Sequence, residues 1–178
     1  MGICNSTKDK HQKTFNNQTQ VKQLKPIQNE TSFFIEKDEK KSEIETVLLE
    51  NKLKDLKKLI ESGEIDVNSK VTPQYSLLLY CVVKGIDVDL IKYLLEMKAN
   101  IEEVEPETGN TPIFFAGLNL NEEVFHLLLS KKCNMKHVNF RNESIYMYMI
   151  RSFEGYFDEE NEEKRKYESI LNVINDYQ

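Results

Sequence analysis

The chain has 178 residues, 39% of them hydrophobic and 30% charged, and a formal net charge of −6. That length suits one domain rather than two with linkers, and the composition suits a folded body with a polar segment attached. No apolar run reaches the roughly 18 residues of a membrane-spanning helix, the acidic balance argues against a nucleic-acid partner, and an odd number of cysteines makes no disulfide framework.

The charge is unevenly spread. Residues 1–25 carry Lys8, Lys10, Lys13, Lys22 and Lys25 against Asp9, which is +4 and leaves −10 on the other 153 residues. A basic head on an acidic body implies different partners for the two ends.

The chain opens Met-Gly-Ile-Cys-Asn-Ser-Thr-Lys. Gly2 followed by Ser6 fits the N-myristoylation pattern, with Lys8 close behind, and acylation needs an unhindered glycine amine. Cys4 lies where a membrane-seated thiol is a palmitoylation site. One myristoyl chain gives only marginal binding, on the order of 10⁴ M⁻¹, so a second signal is required. Palmitate on Cys4 would supply it, and the lysines add attraction to an anionic leaflet. Residues 1–30 contain no apolar stretch of signal-peptide type. Asn-x-Ser/Thr triplets such as those at Asn17, Asn29 and Asn142 are chance matches if the chain stays in the cytosol, where Cys81 and Cys133 stay reduced.

Residues 1–30 are rich in Asn, Gln, Lys and Thr without periodicity, which predicts a disordered tail. Such a tail spans roughly 25–30 Å as a flexible coil. Residues 31–42 read as a linker or cap, with Phe33, Phe34 and Ile35 the first apolar cluster. From Ser42 the texture changes. Ser42 and Glu45 have capping-box spacing ahead of a helix over about 43–50. A second helix follows over 53–62, closed by Gly63. Then come Ile65-Asp66-Val67-Asn68 and a turn at Thr72-Pro73. The pattern recurs: helices over 76–83 and 90–97, then Ala99-Asn100-Ile101; helices over 111–118 and 124–129, then Cys133-Asn134-Met135; helices over 144–152 and 164–175. Ser76, Thr111 and Ser144 begin successive copies.

This series resembles the ankyrin-repeat family, whose signature is Thr-Pro-Leu-His-x-Ala. The nearest match is Gly109-Asn110-Thr111-Pro112-Ile113-Phe114-Phe115-Ala116. It departs at Phe114, where His is usual, and at Leu120, where a glycine is expected between the helices. Gly85 keeps that glycine in the preceding copy. The resemblance covers about Ser42 to Asp176. It implies an all-α solenoid of about four helix-turn-helix repeats with degenerate ends, occupying residues 43–178, because no single helix pair can bury its own apolar face.

Little in the chain suggests catalysis. Cys81 and Cys133 sit at small-residue positions of the repeat and read as core. His11, His126 and His137 lack metal-ligand spacing, and no phosphate loop or nucleophile elbow is present, so neither metal nor cofactor is expected. The acidic run Asp158–Glu163 reads as a loop and helix start, and the aromatic residues Tyr146, Tyr148, Phe153, Tyr156 and Phe157 as packing of the last repeat.

By resemblance, the array binds a protein through its concave side. Carried over by register, the contact positions are Tyr75, Val83, Lys84, Glu107, Thr108, Asn110, Leu118, Asn119, Phe140, Arg141, Glu143, Arg151 and Ser152. Val83, Leu118 and Phe140 are the apolar members: candidate anchors, or core residues if the register is off by one at a degenerate repeat. The expectation is a non-enzymatic, monomeric adaptor. It would be held at the cytosolic face of a membrane by acyl chains and N-terminal lysines, without a nucleic-acid partner. The alternative is a soluble regulatory subunit or inhibitor.

Overall fold

The computed structural model describes residues 43–50, 52–157 and 159–177. Gly2, Cys4, Ser6, Lys8, the tail and the 31–42 segment lie outside the described residues. Four helix pairs follow one another: α1 (Glu43–Leu49) with α2 (Leu53–Glu61), α3 (Leu77–Lys84) with α4 (Val88–Glu96), α5 (Pro112–Leu118) with α6 (Glu122–Ser130), and α7 (Ile145–Phe153) with α8 (Glu162–Asp176).

The helices start and stop for local reasons. Asn121 caps α6 by accepting from the Val124 N–H at 3.1 Å, and Asn161 caps α8 by accepting from Lys164 at 2.8 Å. Asp87 does the same for α4 through Asp89 at 2.8 Å. These three helices begin two residues earlier than the sequence reading placed them, because the extra residues are polar in α6 and α8 and a Val88-Asp89 pair beside the Asp87 cap in α4. Pro112 occupies the first turn of α5, where its missing N–H costs nothing. The expected capping box pairs Ser42 with Glu45. Ser42 lies outside the described residues, and Glu45 accepts the Tyr80 hydroxyl at 2.7 Å across the first two repeats.

The pairs stack into two layers. α3, α5 and α7 form an inner row and α4, α6 and α8 an outer row, each helix packed on its neighbour in the row. One continuous core results, running from Leu48 and Leu56 through Leu77, Leu90 and Leu94 to Phe114, Phe125, Met149 and Ile174. This is an ankyrin-repeat solenoid, stabilised by contact between neighbouring repeats. The array closes with Phe153, Tyr156, Phe157 and Tyr167, whose ring centroids lie 4.9–5.9 Å apart. They bridge α7 to α8 as packing, with Phe153 buried.

Between repeats the loops form hairpin-like fingers. Lys70 bridges Ser76 in the first and Val138 bridges Ser144 in the third. The middle finger is closed by Glu105 N–H to Asn110 C=O at 2.9 Å. A polar ladder joins successive fingers. Asp66, Asn100 and Asn134 each accept from the N–H two residues on. The side chains of Asn68 and Glu102 then accept from the Asn100 and Asn134 N–H groups of the next repeat, at 2.8 and 2.6 Å. Lys136 occupies the corresponding place in the last finger. It carries no acceptor, so the ladder ends there.

Candidate partner-binding surface

The surface that the resemblance points to is made of the three fingers and the outward residues of the inner helices. The structure sorts its expected members into three groups.

Two are interior. Val83 is 7% exposed within the α3 core, and Asn110 is fully buried. The expectation that they face a partner is therefore corrected. Val83 packs because α3 is apolar on every side, with helices on both flanks. Asn110 turns inward to accept a hydrogen bond from the Asn139 side chain at 3.1 Å, which ties two fingers together.

A second group lies at or near the surface but has internal work. Asn119 donates to the carbonyls of Val82 and Val83, at 2.9 and 3.3 Å, and so closes the free end of α3. Thr108 donates its hydroxyl to Glu105 at 2.6 Å. Ser152 donates to the Tyr148 carbonyl at 2.7 Å. Leu118 and Tyr75 are half-buried against the core. Burial, with Glu105 and Glu107 nearby, pushes the Tyr75 phenol up. Lys84 holds its ammonium 5.9 Å from the Tyr80 ring centroid. Glu143 and Arg151 pair with each other, at 2.6 Å and 3.2 Å, and Arg151 lies 5.1 Å from the Tyr148 ring centroid. The Arg151 bond, helped by Asn139, holds the Glu143 carboxyl below the usual range.

The third group is open: Glu107, Phe140 and Arg141. Phe140 is 67% exposed at the tip of the last finger. Its N–H donates to the Thr108 carbonyl at 2.9 Å. Its ring lies on Gly109, where a Cβ would come within 2.5 Å of Phe140 Cδ1. The aromatic ring is thus displayed and seated at once.

Three features of this surface escaped the sequence reading. Glu105 is 3% exposed and its carboxylate accepts from the Glu107 and Thr108 N–H groups at 3.0 and 2.7 Å. It does in the middle finger what the Asn139 carbonyl does for Arg141 and Glu143 in the last. The spacing held a signal for this: the stretch from Asn100 to Thr111 is one residue longer than its two counterparts. His137 was the second. The family histidine position is Phe114 here, and His137 from the next finger meets that ring edge-on at 5.9 Å while its Nε2 lies 2.8 Å from the Gly109 carbonyl. Third, Val104 and Val138 stand exposed at the same position of consecutive fingers.

Among the described residues, both cysteine thiols are buried. Cys81 is completely buried, which pushes its thiol far up, and burial and Glu102 push Cys133 to about 12. Among the described residues no group of three or more His, Cys, Asp or Glu is placed to hold a metal. No helix among them is long and apolar enough to cross a membrane.

Comparison with known proteins agrees with the architecture. Residues 78–129 match the family described as ankyrin repeats (many copies). No curated protein sequence matches the chain. Among solved structures, the chain is similar in fold to one from the complex of the Bd0816 predatory endopeptidase of Bdellovibrio bacteriovorus with the immunity protein Bd3460. The similarity has a TM-score of 0.54 at 23% identity and covers 75% of this chain. This chain spans 65% of the length of that one. An ankyrin array implies protein–protein interaction.

Proposed function

We propose that the protein is a non-enzymatic adaptor that binds a protein partner through its fingers and is tethered to the cytosolic face of a membrane by acylation of Gly2 and Cys4. The observation that carries the binding half is Phe140: a large aromatic side chain, two-thirds exposed and held in place, is the form binding anchors take. The tether rests on Met-Gly-Ile-Cys-Asn-Ser and the five lysines that follow. The array, residues 43–178, carries −9 and would be repelled by an anionic leaflet, so the tail would let it stand off the surface.

Two measurements test the two halves. Full-length chain with a C-terminal fluorescent tag should move from membrane to soluble fraction on Gly2→Ala, with loss of label from a clickable myristate analogue. Unchanged membrane association in that variant would end the tether reading. For binding, full-length bait should retain a lysate protein that is lost with the Leu118→Asp/Phe140→Asp double variant. Equal retention by both baits counts against the finger surface.

A second reading, a regulatory or inhibitory subunit without a lipid anchor, uses the same surface. Its support is the similar fold in a complex that pairs an endopeptidase with an immunity protein. Myristate labelling separates the two.

A further inference from the structure

Exposure alternates along the first arm of the last finger. Lys136, Val138 and Phe140 face outward, while His137 bonds inward to Gly109 and Asn139 is buried against Asn110. Arg141 follows at the tip and is also exposed. The result is an outward strip of cation, valine, phenylalanine, cation. The middle finger shares the exposed valine, as Val104, but the earlier fingers differ at the flanking positions. Asn68 and Glu102 are occupied in the inter-repeat ladder, and Lys70 is ion-paired with Glu103. At the last finger no hydrogen bond among the described residues carries the ladder on from Lys136 to another repeat. Lys136 and Arg141 make no ion pair among the described residues, and the nearby Glu143 is committed to Arg151.

This strip stands on a body whose overall charge is strongly negative. Residues 26–178 carry −10, so an acidic partner is repelled by most of the molecule and attracted locally here. Phe140 gives the strip an apolar centre whose ordering is already complete, since its backbone bonds Thr108 and its ring rests on Gly109. Glu107, exposed on the preceding finger, sets the opposite sign beside it. A bound segment would therefore direct its acids toward Lys136 and Arg141 and away from Glu107.

We infer that the last finger is a docking site for an acidic protein segment bearing an aromatic or aliphatic residue, with Phe140 and Val138 as the apolar contact and Lys136 and Arg141 as the charge contact. This rests on the adaptor reading and narrows it to one finger and one partner chemistry.

The probe is a phage-displayed library of random 12-residue peptides panned on the full chain. Enriched peptides should place Asp or Glu beside an aromatic or large aliphatic residue. Binding of a representative synthetic peptide should weaken at least tenfold with Phe140→Ala, and tenfold or more between about 50 and 300 mM salt. Lys136→Glu/Arg141→Glu should abolish it. Gly109→Ala should weaken it too, by unseating Phe140. These residues are exposed apart from Gly109, so circular dichroism should match the parent for the other variants. Enrichment of neutral or basic peptides, no enrichment, or indifference to Phe140→Ala overturns the proposal. Displacement of the peptide by an equimolar single-stranded oligonucleotide or by phosphatidylserine vesicles also overturns it, by assigning the strip to another class of ligand. If Leu118→Asp removes binding and Phe140→Ala does not, this finger is wrong and the broader adaptor reading stands.

Discussion

Among the described residues, four other than glycine hold a positive φ: Lys98 at 64°, Leu120 at 50°, Lys132 at 63° and Asn142 at 58°. Their positions are periodic. Lys98 and Lys132 match Gly63, Leu120 matches Gly85, and Asn142 matches Gly109, all of which share the left-handed conformation. The fold takes this conformation at matching points of successive repeats, with glycine in one copy and a larger side chain in the next. Lys98 and Lys132 are exposed, so Lys98→Gly and Lys132→Gly should each stabilise by about 0.5–1 kcal/mol, read from the urea midpoint. Leu120→Gly should gain nothing, because it also removes a leucine packed on the core. A second prediction concerns Glu143. Its folded-state value lies below the free glutamate value of about 4.3, so its contribution is present above that pH and fades as pH falls through the folded value. Arg151→Met should cost about 1 kcal/mol at pH 7, discounted for the exposed arginine. Unfolding curves at pH 7 and about pH 2.5 should show that difference disappearing in acid.

A finger is stabilised less by strand pairing than by one inward side chain. In the last finger, Asn139 accepts from two N–H groups and donates to Asn110 and Glu143. Asn139→Ala should cost about 2 kcal/mol, since it strands buried groups, and should speed hydrogen exchange at the Arg141 and Glu143 amides. In the middle finger a buried glutamate has this duty. The helices, by contrast, were legible within two residues of their ends, because each buries one apolar face against a neighbour. Where the reading started late, at the first turns of α4, α6 and α8, a side-chain cap (Asp87, Asn121 or Asn161) opens the helix ahead of its main apolar run. The concave positions were the hardest to read. Val83 and Asn110 follow the register of outward positions and yet lie inside, because register fixes an angle about a helix or a place in a loop and not the depth of the neighbour beyond it.

Repeat arrays lose order from their ends, because a terminal repeat has one neighbour and an inner one has two. α5 packs against both α3 and α7, so its amides should exchange slowest and those of α1 fastest. Phe125→Ala, in the middle of the outer row, should cost about 3–5 kcal/mol in thermal or urea unfolding. Lys136 marks the far end of the inter-repeat ladder: where Asn68 and Glu102 reach on to another repeat, a cation turns to solvent.

Class, repeat number and helix order were written in the sequence, because they depend on local signals: apolar period, glycine stops and capping residues repeated at near-constant spacing. The uneven charge and the Gly2/Cys4 pattern are likewise readable without a fold. What the tertiary structure alone decided is which surface residues are free. Glu143 and Arg151 satisfy each other, Asn119 closes the end of α3, and Phe140 is left exposed on Gly109. The first is a contact between a finger and the helix that follows it, and the other two need residues of different repeats to meet across the stack, which no local pattern encodes.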